Sequence, residues 1–348
     1  MMRVKAPPSA VLIPALALAL AAAVPPAQAQ VPSAADCAKA TTAAAKATCV
    51  QNGQSAADTA VTPAYDHLAQ TLPAPARNHL RTDQESWRAA HNRVCATETV
   101  GSVTGDNPLD RQECILSRTH RRTAWLRALP TGADYPYISE HARTDSGSVP
   151  GIRYAFSAIY PRFDRPGVDY NQVNAWLATA ANAMFEKPDP GDAIAGRTQH
   201  WSREFDYTLT FATPRLVTVI GTRNVYLGGA HPVGGLATLM VDIASGRLIG
   251  PQDLLVPGFE SKILPMVLAD LRQQFRERPG FDEALTAAKL LKLLVEDRRW
   301  VARADAIDIE FNVYEVGPYV SGPYTVSLPY TRIASLIRRD GPLASKVR

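Results

Sequence analysis

Two carboxylate pairs, Glu204 with Asp206 and Asp308 with Glu310, have the i,i+2 spacing that places both side chains on one face of a β-strand. Two carboxyls on one face could divide acid and nucleophile roles in glycoside cleavage, which works with carboxyl groups about 5 to 9 Å apart. Their ordinary reading is a solvated strand face. The other residues that hydrolysis would need are missing: the chain has no G-x-S-x-G, S-x-x-K, H-E-x-x-H or C-x-x-C, and no glycine-rich phosphate loop. Seven histidines are scattered without metal-ligand spacing, so neither a metal nor a cofactor is implied. The expectation is a protein that is not an enzyme.

Recognition chemistry is better represented. Tyr226 to Gly235 reads Y-L-G-G-A-H-P-V-G-G between two β-branched runs, so Gly228, Gly229, Ala230, His231 and Pro232 form a shaped, non-helical connection on a hairpin. His231 either hydrogen-bonds its own loop or contacts a partner. A doubled tripeptide, Gly317-Pro318-Tyr319 and Gly322-Pro323-Tyr324, follows Tyr314; these three tyrosines serve equally as core or as contact surface. Trp87 and His91 lie one turn apart on a helix and read as core with a polar rim. Arg118, Arg121 and Arg122 read as a solvated face, whose functional alternative is an anionic partner such as a cell-wall glycan.

Arg3 and Lys5, an apolar run from Ala10 to Val24, and Ala27-Gln28-Ala29 predict a signal peptide over 1–29 cleaved near Ala29, hence an exported protein, periplasmic or secreted. No other stretch has the roughly 18 to 20 apolar residues of a membrane span. Losing Arg3 and Lys5 lowers the net charge from +4 to +2, which gives nucleic-acid binding no support. Cys37, Cys49, Cys95 and Cys114 are the only cysteines and fall within one short segment, as in a two-disulfide framework. Three connectivities are possible, and short-range pairing, Cys37 with Cys49 and Cys95 with Cys114, is the expected one.

Residues 36–130 carry helical periodicity, with Leu80, Trp87, Ala90, His91 and Val94 on one stripe and Ile115, Thr119, Leu126 and Leu129 on another. Pro63, Pro73 and Pro75 predict short helices ahead of a long one, and Ala96 to Pro108 a loop. Residues 131–147 read as a linker. Residues 148–340 then show a strand from Ile152 to Tyr160, a helix over about 169–187, and alternating strands around Tyr207, Leu239 and Ile309. Two further helical segments and a final helix over 329–339 complete the pattern. The fold class is α+β: a small disulfide-stapled all-helical domain, then a mainly antiparallel sheet packed with helices.

The four cysteines, together with Tyr65, Gln84, Trp87 and Arg93 in A-Y-D-H-L-A and L-R-T-D-Q-E-S-W-R-A-A-H-N-R-V-C, make residues 36–130 resemble the LprI-type lysozyme-inhibitor N-terminal domain. Tyr160-Pro161, Y-L-G-G-A-H-P, D-I-A-S-G-R-L-I-G-P-Q-D-L-L and F-N-V-Y-E-V-G-P-Y-V-S-G-P-Y make 148–340 resemble the RsiV/PdaC-type extracytoplasmic domain. The first resemblance implies lysozyme inhibition. The second implies a domain that senses lysozyme in some anti-sigma factors and elsewhere precedes a polysaccharide deacetylase. Neither a sigma-binding segment nor a deacetylase is recognisable here, so those activities do not transfer. Together they imply a lysozyme-like partner, with cell-envelope glycan binding or remodelling as the alternative.

Overall fold

The computed structural model describes residues 32–100 and 107–347; the expected signal peptide and its cleavage site lie outside these residues. The chain begins with a short helix, α1 (Ala34–Cys37), followed by three long ones: α2 (Ala43–Thr71), α3 (Ala74–Val100) and α4 (Pro108–Ala128). Local chemistry starts two of these helices. Thr42 Oγ1 accepts from Ala45 N–H at 3.1 Å ahead of α2, and Asn107 Oδ1 accepts from Leu109 N–H at 3.0 Å with Pro108 at the first helical position of α4. Gly53 lets α2 and α4 approach closely, because a Cβ there would lie 3.0 Å from a Leu116 methyl. The bridges Cys37–Cys49 and Cys95–Cys114 join α1 to α2 and α3 to α4, in the short-range pairing.

Pro63 does not divide α2, which runs for 29 residues through it. Proline removes one backbone donor and strains one turn, but the stripe Val50, Ala57, Val61, Ala64 and Leu68 remains buried on both sides of it. Helix α3 likewise continues through Ala96 to Val100, where a loop is expected from composition; residues 101–106 of that loop lie outside the described residues.

Six strands follow in sequential order: β1 (Ile138–Val149), β2 (Ile152–Phe163), β3 (Gln199–Ala212), β4 (Leu216–Leu227), β5 (Val233–Asp242) and β6 (Arg247–Ile249). All neighbours pair antiparallel except β2 and β3, which are parallel across a crossover containing α5 (Asn171–Asn182). Residues 131–147 are therefore not a free linker. Most of that stretch is β1, whose polar and small residues alternate on a half-covered sheet face and so escape an apolar-run criterion. A short helix α6 (Pro251–Leu254) and then α7 (Phe259–Gln274) and α8 (Ala287–Leu294) lead to a three-stranded antiparallel sheet, β7 (Trp300–Ala302), β8 (Ala306–Phe311) and β9 (Tyr324–Pro329). The final helix is only α9 (Tyr330–Ile333) and a following turn.

One apolar core joins the helical segment to the larger sheet. Leu80, Trp87 and Leu126 from the helices pack in the same cluster as Ile138, Phe163 and Val219 from the strands. A second core holds α7 and α8 against the smaller sheet around the fully buried Trp300, with Phe259 edge-on at 5.7 Å.

Candidate functional sites and family relationships

The hairpin tip between β4 and β5 and the loop between β8 and β9 meet in space, although they lie far apart in the chain. The rings of His231 and Tyr319 stack with centroids 4.1 Å apart, and Nδ1–H of His231 donates to the Pro232 carbonyl at 2.8 Å. The histidine thus ties down its own loop, with its ring packed on Tyr319 of the opposing loop. Gly228 turns the hairpin at φ 81°, a left-handed conformation, and a Cβ there would come within 2.6 Å of Gln199 Nε2.

The opposing loop is held from below. Asn312 clamps β5 by accepting from Leu236 N–H at 2.6 Å and donating to Leu236 O at 3.1 Å. Its own N–H donates to Glu315 at 2.8 Å, and the buried Arg299 guanidinium donates to that carboxylate at 3.0 Å. Tyr314 sits in this loop at φ 69°, unusual for a bulky residue, and is 57% exposed. Leu227, Val233, Tyr314 and Val320 are four of the six large hydrophobics exposed among the described residues; Leu227 and Val233 are the strand ends that flank the hairpin tip, and Tyr314 and Val320 lie on the opposing loop. Between them runs a groove of about 450 Å³ lined by Gly234, Asn312, Tyr319 and Val320. Tyr324 is not part of it: the ring is fully buried, its hydroxyl donates to the Pro279 carbonyl, and Arg278 lies 3.7 Å over its face.

The helix–sheet seam is the second constellation. Arg118 and Arg122 are buried rather than solvated. Arg118 donates to Glu140 at 3.0 Å, while Arg122 donates to Asp83 at 2.6 Å and to Gln84 at 2.8 Å, with its guanidinium 4.3 Å over Trp125. Arg121 pairs with Asp206 of β3 at the more exposed edge. The helical stripe that looks basic in sequence is turned inward, where Glu140 and Asp206 of the sheet and Asp83 of α3 pair with it. Trp87 is core and stacks on His91 at 4.6 Å, in keeping with its place on the apolar stripe.

Of the two carboxylate pairs, Glu204 and Asp206 are half-buried, whereas Asp308 and Glu310 are not a solvated face. Asp308 and Glu310 are 7% and 5% exposed; Arg303 pairs with Asp308 at 2.7 Å, and Thr325 donates to Glu310 at 2.7 Å. Burial raises the Glu310 carboxyl above its ordinary range. Glu204 is raised by burial, with Asp206 adding to it. Asp308, Glu310 and Asp206 each pair with a side chain of the fold. Glu98, which periodicity does not single out, faces the same seam. Its carboxyl accepts from Ser157 Oγ at 3.0 Å, and burial, with Glu204 next, pushes its pKa up to about 7. The one group of three cysteine and acidic side chains close enough to hold a metal among the described residues, Cys95, Glu98 and Cys114, has both thiols spent in a disulfide. Among the described residues, no helix is long and apolar enough to cross a membrane.

Comparison with known proteins assigns families to two segments of the chain. Residues 35–126 match the family model described as "Lysozyme inhibitor LprI", and residues 252–331 match "Protein of unknown function (DUF3298)". No curated protein matches the chain. Among solved structures, a DUF3298 family protein from Pseudomonas aeruginosa PAO1 is 18% identical with a TM-score of 0.42, over 58% of this chain and 94% of its own. A DUF3298 member from Bacteroides fragilis NCTC 9343 is 14% identical with a TM-score of 0.45, over 61% of this chain and 96% of its own. The chain carries an LprI lysozyme inhibitor domain at 35–126 followed by a DUF3298 domain at 252–331, for which the RsiV/PdaC-type resemblance is a close description.

Proposed function

We propose that the protein is an exported, non-catalytic binding protein that docks on lysozyme-type glycan hydrolases and obstructs their cleft. The identity of the partner is supported by the LprI match over 35–126. Export is supported by two disulfides, which persist in oxidising compartments, and by the signal-peptide pattern of the first 29 residues. The observation that carries the contact is the exposed apolar platform: Tyr314, Val320, Leu227 and Val233 around the His231–Tyr319 stack. Aromatic anchors on pre-braced loops give up little conformational freedom on docking, which is where interface energy concentrates. The protein contributes no chemistry and acts by occlusion.

A lysozyme turnover assay on a cell-wall suspension, with increasing purified protein lacking residues 1–29, tests this reading. Slowing at micromolar protein, with a complex on gel filtration, is expected. A Tyr314→Ala, Tyr319→Ala double variant should then bind about tenfold or more weakly. Undiminished turnover together with no complex would reject the function. Inhibition unchanged by the double variant would move the contact off the platform.

A further inference from the structure

The seam between α3–α4 and the sheet gathers more acids than bases. Glu98 is enclosed by groups from three elements. From α4 come Arg118 and Arg121; from β3 come Glu204 and Asp206; and from β2 comes the Ser157 hydroxyl. Beside it, Cys114 Sγ lies 3.2 Å from Glu98 Oε2. A disulfide sulfur has no proton to give, so a hydrogen bond along that contact must use a proton on the carboxyl. Both guanidiniums are already engaged, Arg118 with Glu140 and Arg121 with Asp206. An ionised Glu98 is therefore a third anion beside Glu204 and Asp206, and Arg118, the cation that offsets it, is already paired with Glu140.

We infer that this seam is a proton-operated latch: it seats the helices on the sheet when Glu98 carries a proton, and loosens when that proton leaves to solvent and Glu98 repels Glu204 and Asp206. The burial that holds the Glu98 proton to about pH 7, against 4.5 for the free group, sets the size of the effect. Between those values the closed seam binds a proton that the open seam releases, so rising pH favours opening. With both values, the opening constant grows about tenfold from pH 6 to pH 8.

Hydrogen exchange of the full chain, corrected for the intrinsic pH dependence of amide exchange, reads that constant. Protection of the β2 and α3 amides flanking Ser157 and Glu98 should fall about tenfold from pH 6 to 8, while amides of α7 around the buried Val267 stay unchanged. Glu98→Gln keeps the shape and an acceptor for Ser157 but cannot ionise, and its seam protection should be flat over the same range. A flat wild-type profile overturns the latch, as does an undiminished slope in Glu98→Gln, which would assign the titration to Glu140 or Glu204. Should the variant fail to fold, the side-chain carboxyl carbon of Glu98 followed by NMR decides: a midpoint near 4.5 overturns the inference.

Discussion

Replacing Asp83 with asparagine tests how much the buried ion pair between α3 and α4 stabilises the fold. Asp83 is 2% exposed and touches three elements at once. From α3, its Oδ2 accepts from Arg122 Nη2 of α4 at 2.6 Å, and its Oδ1 accepts from the Glu140 N–H of β1 at 2.7 Å. The amide that replaces the carboxylate can still accept from the Glu140 N–H, but its NH₂ group then faces a guanidinium donor. Arg122 is left buried with only Gln84 and the ring faces of Trp125 and Trp87. Breaking one side of a buried pair costs about 3 to 5 kcal/mol. The remaining Gln84 bond and cation–π contacts place Asp83→Asn near the lower end, at about 3 kcal/mol. Arg122→Met should cost about 4 kcal/mol, because it strands a carboxylate that has no ring faces to lean on. The double variant strands no charge, so it should cost less than the two added together, by about 2 kcal/mol or more. Urea unfolding followed by tryptophan fluorescence measures all four proteins, since Trp87 and Trp125 flank the pair. A cost below about 1 kcal/mol for Asp83→Asn, or simple additivity, would refute the assignment.

Removing the second disulfide with Cys95→Ser and Cys114→Ser should lower stability by about 3 kcal/mol, because the bridge closes a loop with a sequence separation of 19; thermal melts under identical buffer conditions give the shift. Gly228→Ala forces a side chain into a left-handed turn and against Gln199, so it should cost about 1 to 2 kcal/mol locally. Lysozyme binding should then weaken while the far-UV circular dichroism spectrum stays unchanged. Substituting Tyr324 with Phe should leave partner binding intact and lower stability by about 1 kcal/mol, since its hydroxyl serves only the Pro279 carbonyl and the neighbouring backbone; an effect on binding with no loss of stability would place it on the platform after all.

Much of the fold follows from local pattern. Apolar spacing marks α3 and α4, alternation marks β8, and closeness in the chain favours the two observed disulfides over the other connectivities. These features arise within a few residues of their cause, so a one-dimensional reading reaches them. The strand inside the expected linker shows the limit: β1 lacks an apolar run and is a strand because β2 pairs along its whole length.

The charged and aromatic residues lie beyond that limit. Arg122 and Asp83 are 39 positions apart and Arg121 and Asp206 are 85 apart; whether each charge faces water or an opposite charge is decided only when distant elements pack. The two Gly-Pro-Tyr tripeptides make the same point with identical local sequence. Tyr319 stacks on His231 at the surface, while Tyr324 is buried beneath Arg278. The sequence by itself determined the residue types, the element periods and the family resemblances. Only the tertiary structure decided which tyrosine can meet a partner, which arginines fasten the seam, and that Glu98 stands among acids, because burial and long-range Coulomb partners are properties of the packed molecule.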